Sequence, residues 1–253
     1  MPRPVPPQVI PRPSSWRPGE PAPWAVLSEA DRQGIGLGRV LDALAARGHA
    51  GPVPASIGSD RVLGPLMLVI ATDAPAARFV NAGVLAVLFE EDGEARLIFT
   101  RRSSSLRSHR GEVSFPGGRL DPGEDASAAA LREAYEEVAL DLGHVTVVGW
   151  IPPVVTMVSG SLILPVLATV PSRPQLVASP DEVERIFDVS LRELADPAVF
   201  HEERWSFPDR EIVSSEDNSF AVWFFEVEGE IIWGATARMV HELLSMVLVP
   251  APN

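Results

Sequence analysis

The chain has 253 residues, of which 46% are hydrophobic, and it contains no cysteine. This length suits one large domain with a sizeable core or two small domains, and the absence of thiols excludes disulfides, cysteine-ligated zinc sites and cysteine nucleophiles. The formal net charge of −13 argues against a nucleic-acid partner, and it would repel an anionic substrate unless local positive charge or a metal ion compensated for it.

Residues 1–23 are rich in proline, and they lack the hydrophobic periodicity that regular structure needs. We expect a flexible, extended tail here, with a docking peptide for a partner as the alternative. The segment is not built like a signal peptide, and no apolar run approaches the roughly 20 residues that cross a bilayer. A cytoplasmic protein with no membrane partner is therefore expected.

Residues 24–78 are predicted to form an N-terminal helical extension. Apolar residues repeat at helical spacing in its first half, at Val40, Leu41, Leu44 and Ala45. Core packing is the ordinary explanation of such a repeat, and Gly48 is the predicted helix end. Prolines interrupt residues 51–77, where the apolar residues 66–70 predict a strand or a plug against a sheet.

Residues 79–250 are predicted to form one domain of strands and helices. A hairpin is expected first, with strands over residues 82–90 and 95–101. A helix follows, with Ser127 as its N-cap and its end near Leu140. Further strands are predicted at residues 145–155, 162–170 and 186–189, a last hairpin at 219–226 and 230–233, and a closing helix at 235–247. Because these elements do not repeat strictly as βαβ units, their order favours an α+β fold.

The helix predicted after Ser127 carries three carboxylates that share one side. Glu133 and Glu137 are i,i+4 neighbours, and Glu136 lies one turn from Glu133. A hard divalent cation, Mg²⁺ or Mn²⁺, takes oxygen ligands and would relieve the repulsion within such a cluster. A solvated acidic helix face is the alternative.

Two neighbouring features suit the same ion. Arg132 can hold the side chain of Glu133 in one rotamer. The turn at residues 115–118 can bring backbone carbonyls, including that of Gly118, close to the ion because glycine has no Cβ.

Residues 118–140 resemble the Nudix hydrolase box, G-x5-E-x7-R-E-U-x-E-E-x-G-U, in which U is a bulky aliphatic residue. The matching positions are Gly118, Glu124, Arg132, Glu133, Glu136, Glu137 and Leu140. Ala134 departs from the pattern where a larger aliphatic residue is commoner, and Ala139 departs where the pattern has glycine. That glycine normally ends the helix in a left-handed conformation, which costs alanine about 1 kcal/mol, so Gly143 is an alternative helix end.

Residues 98–118 resemble the signature of the coenzyme A pyrophosphatase branch of that superfamily, T-x-R-S-x3-R-x3-G-x3-F-P-G-G. The matching positions are Thr100, Arg102, Ser103, Arg107, Gly111, Phe115, Pro116, Gly117 and Gly118. Residues 181–183 and 233–237 are also similar to that branch. The resemblance spans about residues 80–248 and implies a Nudix-like α/β/α sandwich with a mixed β-sheet over residues 79–250.

Positive charge is concentrated just before the glycine-rich turn, at Arg101, Arg102, Arg107, His109 and Arg110. The planar fork of arginine suits phosphate oxygens, so we interpret these residues as substrate-binding, and we add Phe115 from the branch signature. A surface loop whose arginines pair with the acidic remainder is the alternative. His109 is expected to contact substrate or backbone rather than to act as a nucleophile, since it has no recognisable Ser or Asp partner.

Two further groups of residues allow more than one interpretation. In Nudix enzymes an acidic residue of a later loop often completes the metal site or acts as a base, which implies that role for Glu182, with an ordinary loop carboxylate as the alternative. Five aromatic residues suit either an adenine or pantetheine pocket or, as is commoner at strand spacing, the core: Trp205, Phe207, Trp223, Phe224 and Trp233.

The resemblance implies a metal-dependent pyrophosphatase that hydrolyses coenzyme A or its derivatives to 4′-phosphopantetheine and adenosine 3′,5′-bisphosphate. The implied catalytic residues are Arg132, Glu133, Glu136, Glu137 and Glu182, and the implied metal ligands are Gly118, Glu133, Glu136 and Glu137. One alternative is a Nudix diphosphatase of ADP-ribose, NADH or dephospho-CoA, and another is a non-catalytic acyl-CoA or nucleotide sensor. The expected partner is a small CoA-like nucleotide, and the sequence leaves a homodimer open.

Overall fold

A computed structural model describes residues 8–53, 81–106, 109–155, 162–207 and 217–250 of the chain. The described α-helices are α1 (Leu37–Ala46), α2 (Ala126–Val138), α3 (Leu191–Leu194) and α4 (Gly234–Leu248). The described strands are β1 (Ser15–Pro18), β2 (Asn81–Glu91), β3 (Glu94–Arg102), β4 (Val113–Ser114), β5 (Gly117–Arg119), β6 (Thr146–Trp150), β7 (Val154–Val155), β8 (Leu162–Thr169), β9 (Val183–Ser190), β10 (Phe200–Ser206), β11 (Phe220–Val227) and β12 (Glu230–Trp233). Among the described helices, none combines the length and the apolar character that crossing a membrane requires.

The larger β-sheet is mixed. Within the described residues its central strand order is β4-β3-β2-β8-β6, with β9 paired to β3, β5 to β2 and β7 to β8. Strands β2 and β8 run parallel, and the other pairs run antiparallel. The β2–β3 hairpin confirms the first predicted hairpin, because Glu91 pairs with Glu94 across a turn in which Asp92 and Gly93 have φ values of 53° and 77°.

Helices cover both faces of the larger sheet. Along β2, Leu85, Val87 and Phe89 pack in the core formed with α2. Their neighbours Ala86 and Leu88 belong to the core on the opposite face, which includes residues of α1 and α4. Successive side chains of a strand point to opposite faces, so one strand supplies both cores. The expected α/β/α sandwich with a mixed sheet is confirmed.

A second, smaller sheet lies beside the sandwich. Its four described strands are antiparallel in the order β1-β10-β11-β12. The predicted last hairpin is confirmed as β11 and β12, and the predicted closing helix as α4. Trp205 is 5% exposed and Phe224 is fully buried in the core of this sheet, so these aromatic residues stabilise the fold.

The prediction of a flexible tail over residues 1–23 is wrong for the described part of this segment, which pairs with the second sheet. Residues 1–7 lie outside the described part, but β1 pairs with β10 along its whole length. Upstream of β1, the side-chain amide of Gln8 donates to the carbonyl of Ile231 at 2.9 Å, and its oxygen accepts from the N–H of Ile231 at 2.7 Å. Arg12 forms an ion pair with the buried Glu203 at 2.7 Å. The proline-rich segment therefore packs on the second sheet through a few specific polar contacts.

The remaining secondary-structure predictions are met in part. Helix α1 ends before Gly48 as predicted, with Val40 and Leu44 buried, but Leu41 and Ala45 are exposed, so only half of the repeat packs in the core. The strand predicted over residues 145–155 is divided into β6 and β7, and β9 begins earlier than predicted. The apolar residues 66–70 lie outside the described part.

Candidate active site

Helix α2 carries the acidic cluster; its N-cap differs from the prediction, whereas its end agrees with the predicted position near Leu140. Asp125, rather than Ser127, is the N-cap, and its carboxylate accepts from the N–H of Ala128 at 2.8 Å. The helix ends at Ala139, which adopts the left-handed conformation with φ 52° and ψ 36°, and not at Gly143. The N–H of Leu140 donates to the carbonyl of Ala134 at 3.3 Å, which closes the helix end in the way a glycine would.

Close packing fixes α2 against the sheet at its N-terminal end. A Cβ on Gly83 of β2 would overlap the carbonyl oxygen of Ala126, so the strand and the helix approach closely here because this residue is glycine. A Cβ on Gly118 of β5 would likewise overlap the carboxylate of Glu133. The acidic face of α2 therefore lies directly on the glycine-rich turn.

Arg132 binds three carboxylates at once. Its Nε and Nη2 donate to the two carboxylate oxygens of Glu124 at 2.9 and 3.0 Å, and its Nη1 donates to Glu133 at 2.9 Å and to Glu136 at 3.2 Å. Its Nη2 also donates to the carbonyl of Arg119 at 3.1 Å. The pKa of Glu124 is lowered to about 2, mainly because its carboxylate accepts hydrogen bonds from Arg132. This geometry agrees with the prediction that Arg132 orients Glu133, and Arg132 binds Glu136 in the same way.

Glu137 occupies a different environment from the other carboxylates of α2. It is 3% exposed, and burial raises its pKa to about 7, although the nearby guanidinium of Arg102 and the N–H of Gly117 oppose the shift. The N–H of Gly117 donates to the Glu137 carboxylate at 3.2 Å. Repulsion from Glu133 and Glu182 adds smaller contributions to the rise in the pKa of Glu137.

These residues fit a divalent cation by their chemistry. Their donors are carboxylate oxygens, the preferred ligands of Mg²⁺ and Mn²⁺, and Gly118 leaves room for the backbone to approach Glu133. Within the described residues, however, no three acidic or histidine side chains are grouped as a metal ion would require, and Arg132 forms ion pairs with Glu133 and Glu136. The assignment of Gly118, Glu133, Glu136 and Glu137 as metal ligands therefore stays a prediction.

Glu182 lies far from α2 in sequence, and the structure brings it to the site. Its loop is attached to the end of α2, where the N–H groups of Val177 and Ser179 donate to the carbonyls of Val138 and Glu137 at 3.0 and 2.8 Å. The carbonyl of Glu182 accepts from the N–H of Ser103 at 2.8 Å, which joins the loop to the arginine-rich segment. The acidic helix, the later loop and the arginine-rich segment therefore meet.

Among the described members of the basic cluster, Arg102 is the one that faces a carboxylate of α2. Its Nη1 lies 3.6 Å from Oε1 of Glu137, and its side chain is 28% exposed. Its backbone fixes the turn that follows, since its N–H donates to the carbonyl of Glu112 at 2.9 Å and its carbonyl accepts from the N–H of Gly111 at 3.1 Å. Arg107 lies outside the described residues.

Two of the predicted substrate-binding residues have other roles. Arg101 is 4% exposed and forms an ion pair with Glu230 at 2.6 Å, whereas its neighbour Arg102 faces Glu137. Phe115 is 2% exposed and stacks on Phe99, with ring centroids 5.1 Å apart. Both assignments to substrate binding are therefore wrong, since the structure places these side chains in the interior.

The last two members of the basic cluster are exposed and make contacts within their own loop. Nδ1 of His109 lies 2.8 Å from the carboxylate of Glu112, and the Nε of Arg110 donates to the carbonyl of Leu106. Their role in substrate binding stays a prediction. Sequence reasoning also missed Glu230, although alternation along β12 places it on the same buried side as Ile232.

Comparisons with known proteins match the part of the chain that contains these residues. A model of the NUDIX domain matches residues 80–213, more than half of the chain, and that range includes α2, the arginine-rich segment and Glu182. The Uncharacterized Nudix hydrolase NudL of Photorhabdus laumondii is 38% identical over 154 residues, 60% of this chain and 78% of the relative. The protein of the same name from Citrobacter koseri is 39% identical over 168 residues, 65% of this chain and 82% of the relative.

The solved structures that resemble the chain are more distant. A C. elegans Ap4A hydrolase binary complex is 21% identical, with a TM-score of 0.39, over 47% of this chain and 85% of that one. This likeness is too remote to indicate a substrate. The domain match and the two relatives show that the chain belongs to the Nudix family, as a hydrolase that acts on pyrophosphate bonds.

Proposed function

We propose that the chain hydrolyses the pyrophosphate bond of coenzyme A or its derivatives and releases 4′-phosphopantetheine and adenosine 3′,5′-bisphosphate. One observation carries the proposal. Arg102, which belongs to the segment that resembles the coenzyme A branch, directs its guanidinium at Glu137 across 3.6 Å. A phosphate group bound beside this pair would be within reach of both the arginine fork and a cation held by the carboxylates of α2.

Nudix hydrolases generally use divalent cations, and Mg²⁺ or Mn²⁺ is proposed here. Glu133, Glu136 and Glu137, with the carbonyl of Gly118, would hold the ion. When bound, it would neutralise charge on the phosphate oxygens and lower the pKa of a water ligand.

The chain's own residues have separate tasks in this proposal. Arg132 orients Glu133 and Glu136 through direct hydrogen bonds. Glu182 lies at the exposed end of its loop, where it can accept a proton from the water that attacks phosphorus. Arg102 holds a phosphate group of the substrate through its fork, which limits the directions from which that water can attack.

A chromatographic product assay tests the proposal. Wild-type protein is incubated with Mg²⁺ or Mn²⁺ in reactions that each contain one substrate. The substrates are CoA, oxidised CoA, acetyl-CoA, dephospho-CoA, ADP-ribose and NADH. We expect adenosine 3′,5′-bisphosphate from CoA, oxidised CoA and acetyl-CoA, and the highest kcat/KM of the panel for one of these three compounds. A higher kcat/KM for ADP-ribose, NADH or dephospho-CoA would overturn the substrate assignment, and binding of CoA without any product would indicate a sensor. The cytoplasmic location and the homodimer stay predictions.

A further inference from the structure

A buried carboxylate of the second sheet forms ion pairs with two arginines of the larger sheet. Glu230, the first residue of β12, is 3% exposed. Its Oε2 lies 2.6 Å from Nη1 of Arg101, and its Oε1 lies 3.0 Å from Nη1 of Arg185. An ionised carboxylate that is removed from water needs such partners, because the cost of desolvation is otherwise uncompensated. Glu230 is therefore a charged contact between the two sheets.

The positive charges of the two arginines also require compensation by this carboxylate. Arg101 of β3 and Arg185 of β9 are directly opposite each other in the strand pairing, so like charges stand side by side. Arg101 also lies 3.6 Å from the carboxylate of Glu184. Loss of the charge on Glu230 would remove the nearer carboxylate from a buried guanidinium that has another positive charge beside it, and Arg101 would move toward water or other carboxylates.

Movement of Arg101 would affect the segment that follows β3. Gly111 lies over its guanidinium, since a Cβ on Gly111 would be 3.4 Å from Nη2 of Arg101. The N–H of Gly111 also donates to the carbonyl of Arg102 at 3.1 Å. The closing turn at Gly111 therefore lies on Arg101 and is hydrogen-bonded to Arg102, whose side chain faces Glu137.

We propose that Glu230 is a positioning residue for substrate binding, which acts through Arg101 on Arg102. It touches neither the carboxylates of α2 nor the substrate. By neutralising Arg101 it holds the end of β3 and the closing turn in the arrangement that directs Arg102 at Glu137. This inference rests on the proposed function, because it requires that Arg102 contacts a phosphate of the substrate.

The test compares Glu230→Gln with Glu228→Gln in steady-state hydrolysis of CoA with saturating Mg²⁺. Glu228 is a matched control from the same hairpin: it lies 3.5 Å from Arg185, is half exposed and has no ion pair with Arg101. We expect E230Q to raise KM for CoA about tenfold with kcat within about threefold of wild type, because substrate affinity is lost while the carboxylates of α2 are untouched. E228Q is expected to match wild type in both parameters.

A double variant separates positioning from general damage to the fold. In Arg101→Met/Glu230→Met both charges are gone and side chains of similar length remain, and such neutral replacements of a buried pair are well tolerated. We expect its KM to return to within about threefold of wild type. If E230Q is too unstable to assay, the double variant is measured instead. A folded double variant with a wild-type KM for CoA supports the proposal, and one with a tenfold higher KM overturns it.

Failure of this inference is distinguishable from failure of the proposed function. If wild type does not hydrolyse CoA, the proposed function is overturned. If wild type hydrolyses CoA and E230Q has the same KM as E228Q, or loses kcat while KM is unchanged, the positioning role alone is overturned.

Discussion

The acidic face of α2 and the arginine-rich segment differ in how their charges are held. Around α2, the carboxylates that Arg132 binds lie within 8 residues of Arg132 in sequence, and most of these groups reach solvent. In the arginine-rich segment, Arg101 is neutralised by Glu230, which is 129 residues away on another sheet, and Arg102 faces Glu137 of α2. Changes on α2 should therefore act locally on catalysis, whereas changes near Arg102 should act on substrate affinity and depend on packing between sheets.

The largest effect is expected from Glu137→Gln. This substitution keeps the volume of the side chain but removes a charged cation ligand, so kcat for CoA should fall about a thousandfold, equivalent to about 4 kcal/mol of transition-state stabilisation. The protein should stay folded, because a neutral amide is less costly than a carboxylate at a buried site. Glu136→Gln is expected to act in the same direction. A kcat within a few-fold of wild type at saturating Mg²⁺ would refute the ligand assignment.

Arg102→Lys tests the other side of the comparison. Lysine keeps the charge but loses the bidentate fork, so KM for CoA should rise about tenfold with little change in kcat. Arg192→Lys is a suitable control, since Arg192 is mostly exposed and lies 3.5 Å from Glu94, on a helix outside the proposed site. Equal KM values for the two variants would remove Arg102 from substrate binding.

The N-terminal segment offers a smaller effect on stability alone. Arg12→Ala leaves Glu203 buried with its charge less well compensated, and we expect a loss of about 1–3 kcal/mol in the free energy of unfolding. Arg17→Ala, which breaks an exposed pair with Asp217, is expected to cost less than about 1 kcal/mol. Urea unfolding measures both, and equal losses would show that the buried contact of Arg12 does not stabilise the segment.

The smallest effect concerns the end of α2. Ala139 has positive φ, where glycine is relaxed, so Ala139→Gly should stabilise the protein by about 1 kcal/mol without changing kcat. Ala128→Gly is the matched control, because this exposed residue has ordinary helical geometry and should lose about 1 kcal/mol. A loss of stability in both variants would contradict the left-handed helix end.

Local periodicity explains which parts of the site were predictable from sequence. Spacings of three and four residues determine which side chains share a face of a helix, so Glu133, Glu136 and Glu137 could be grouped without a structure. A turn such as Asp92-Gly93 similarly predicts a hairpin from two residues.

Tertiary contacts explain the failures. The inward direction of Arg101 depends on β12, and the order of the N-terminal segment depends on contacts of Gln8 and Arg12 with the second sheet. Neither partner is close in sequence, so no local pattern indicates the contact. The end of α2 was predicted near Leu140, but Gly143 stayed open as an alternative, because a strained alanine is retained only when the surrounding hydrogen bonds determine its conformation.

The central claim is that α2 holds a divalent cation while Arg102 holds the substrate phosphate. Binding of Mn²⁺ in the absence of substrate, measured by electron paramagnetic resonance on wild type, E137Q and R102K, tests this division most directly. We expect E137Q to bind Mn²⁺ at least about tenfold more weakly than wild type, and R102K to bind it as wild type does. Equal affinity of wild type and E137Q for Mn²⁺, or a loss of affinity confined to R102K, would contradict the account.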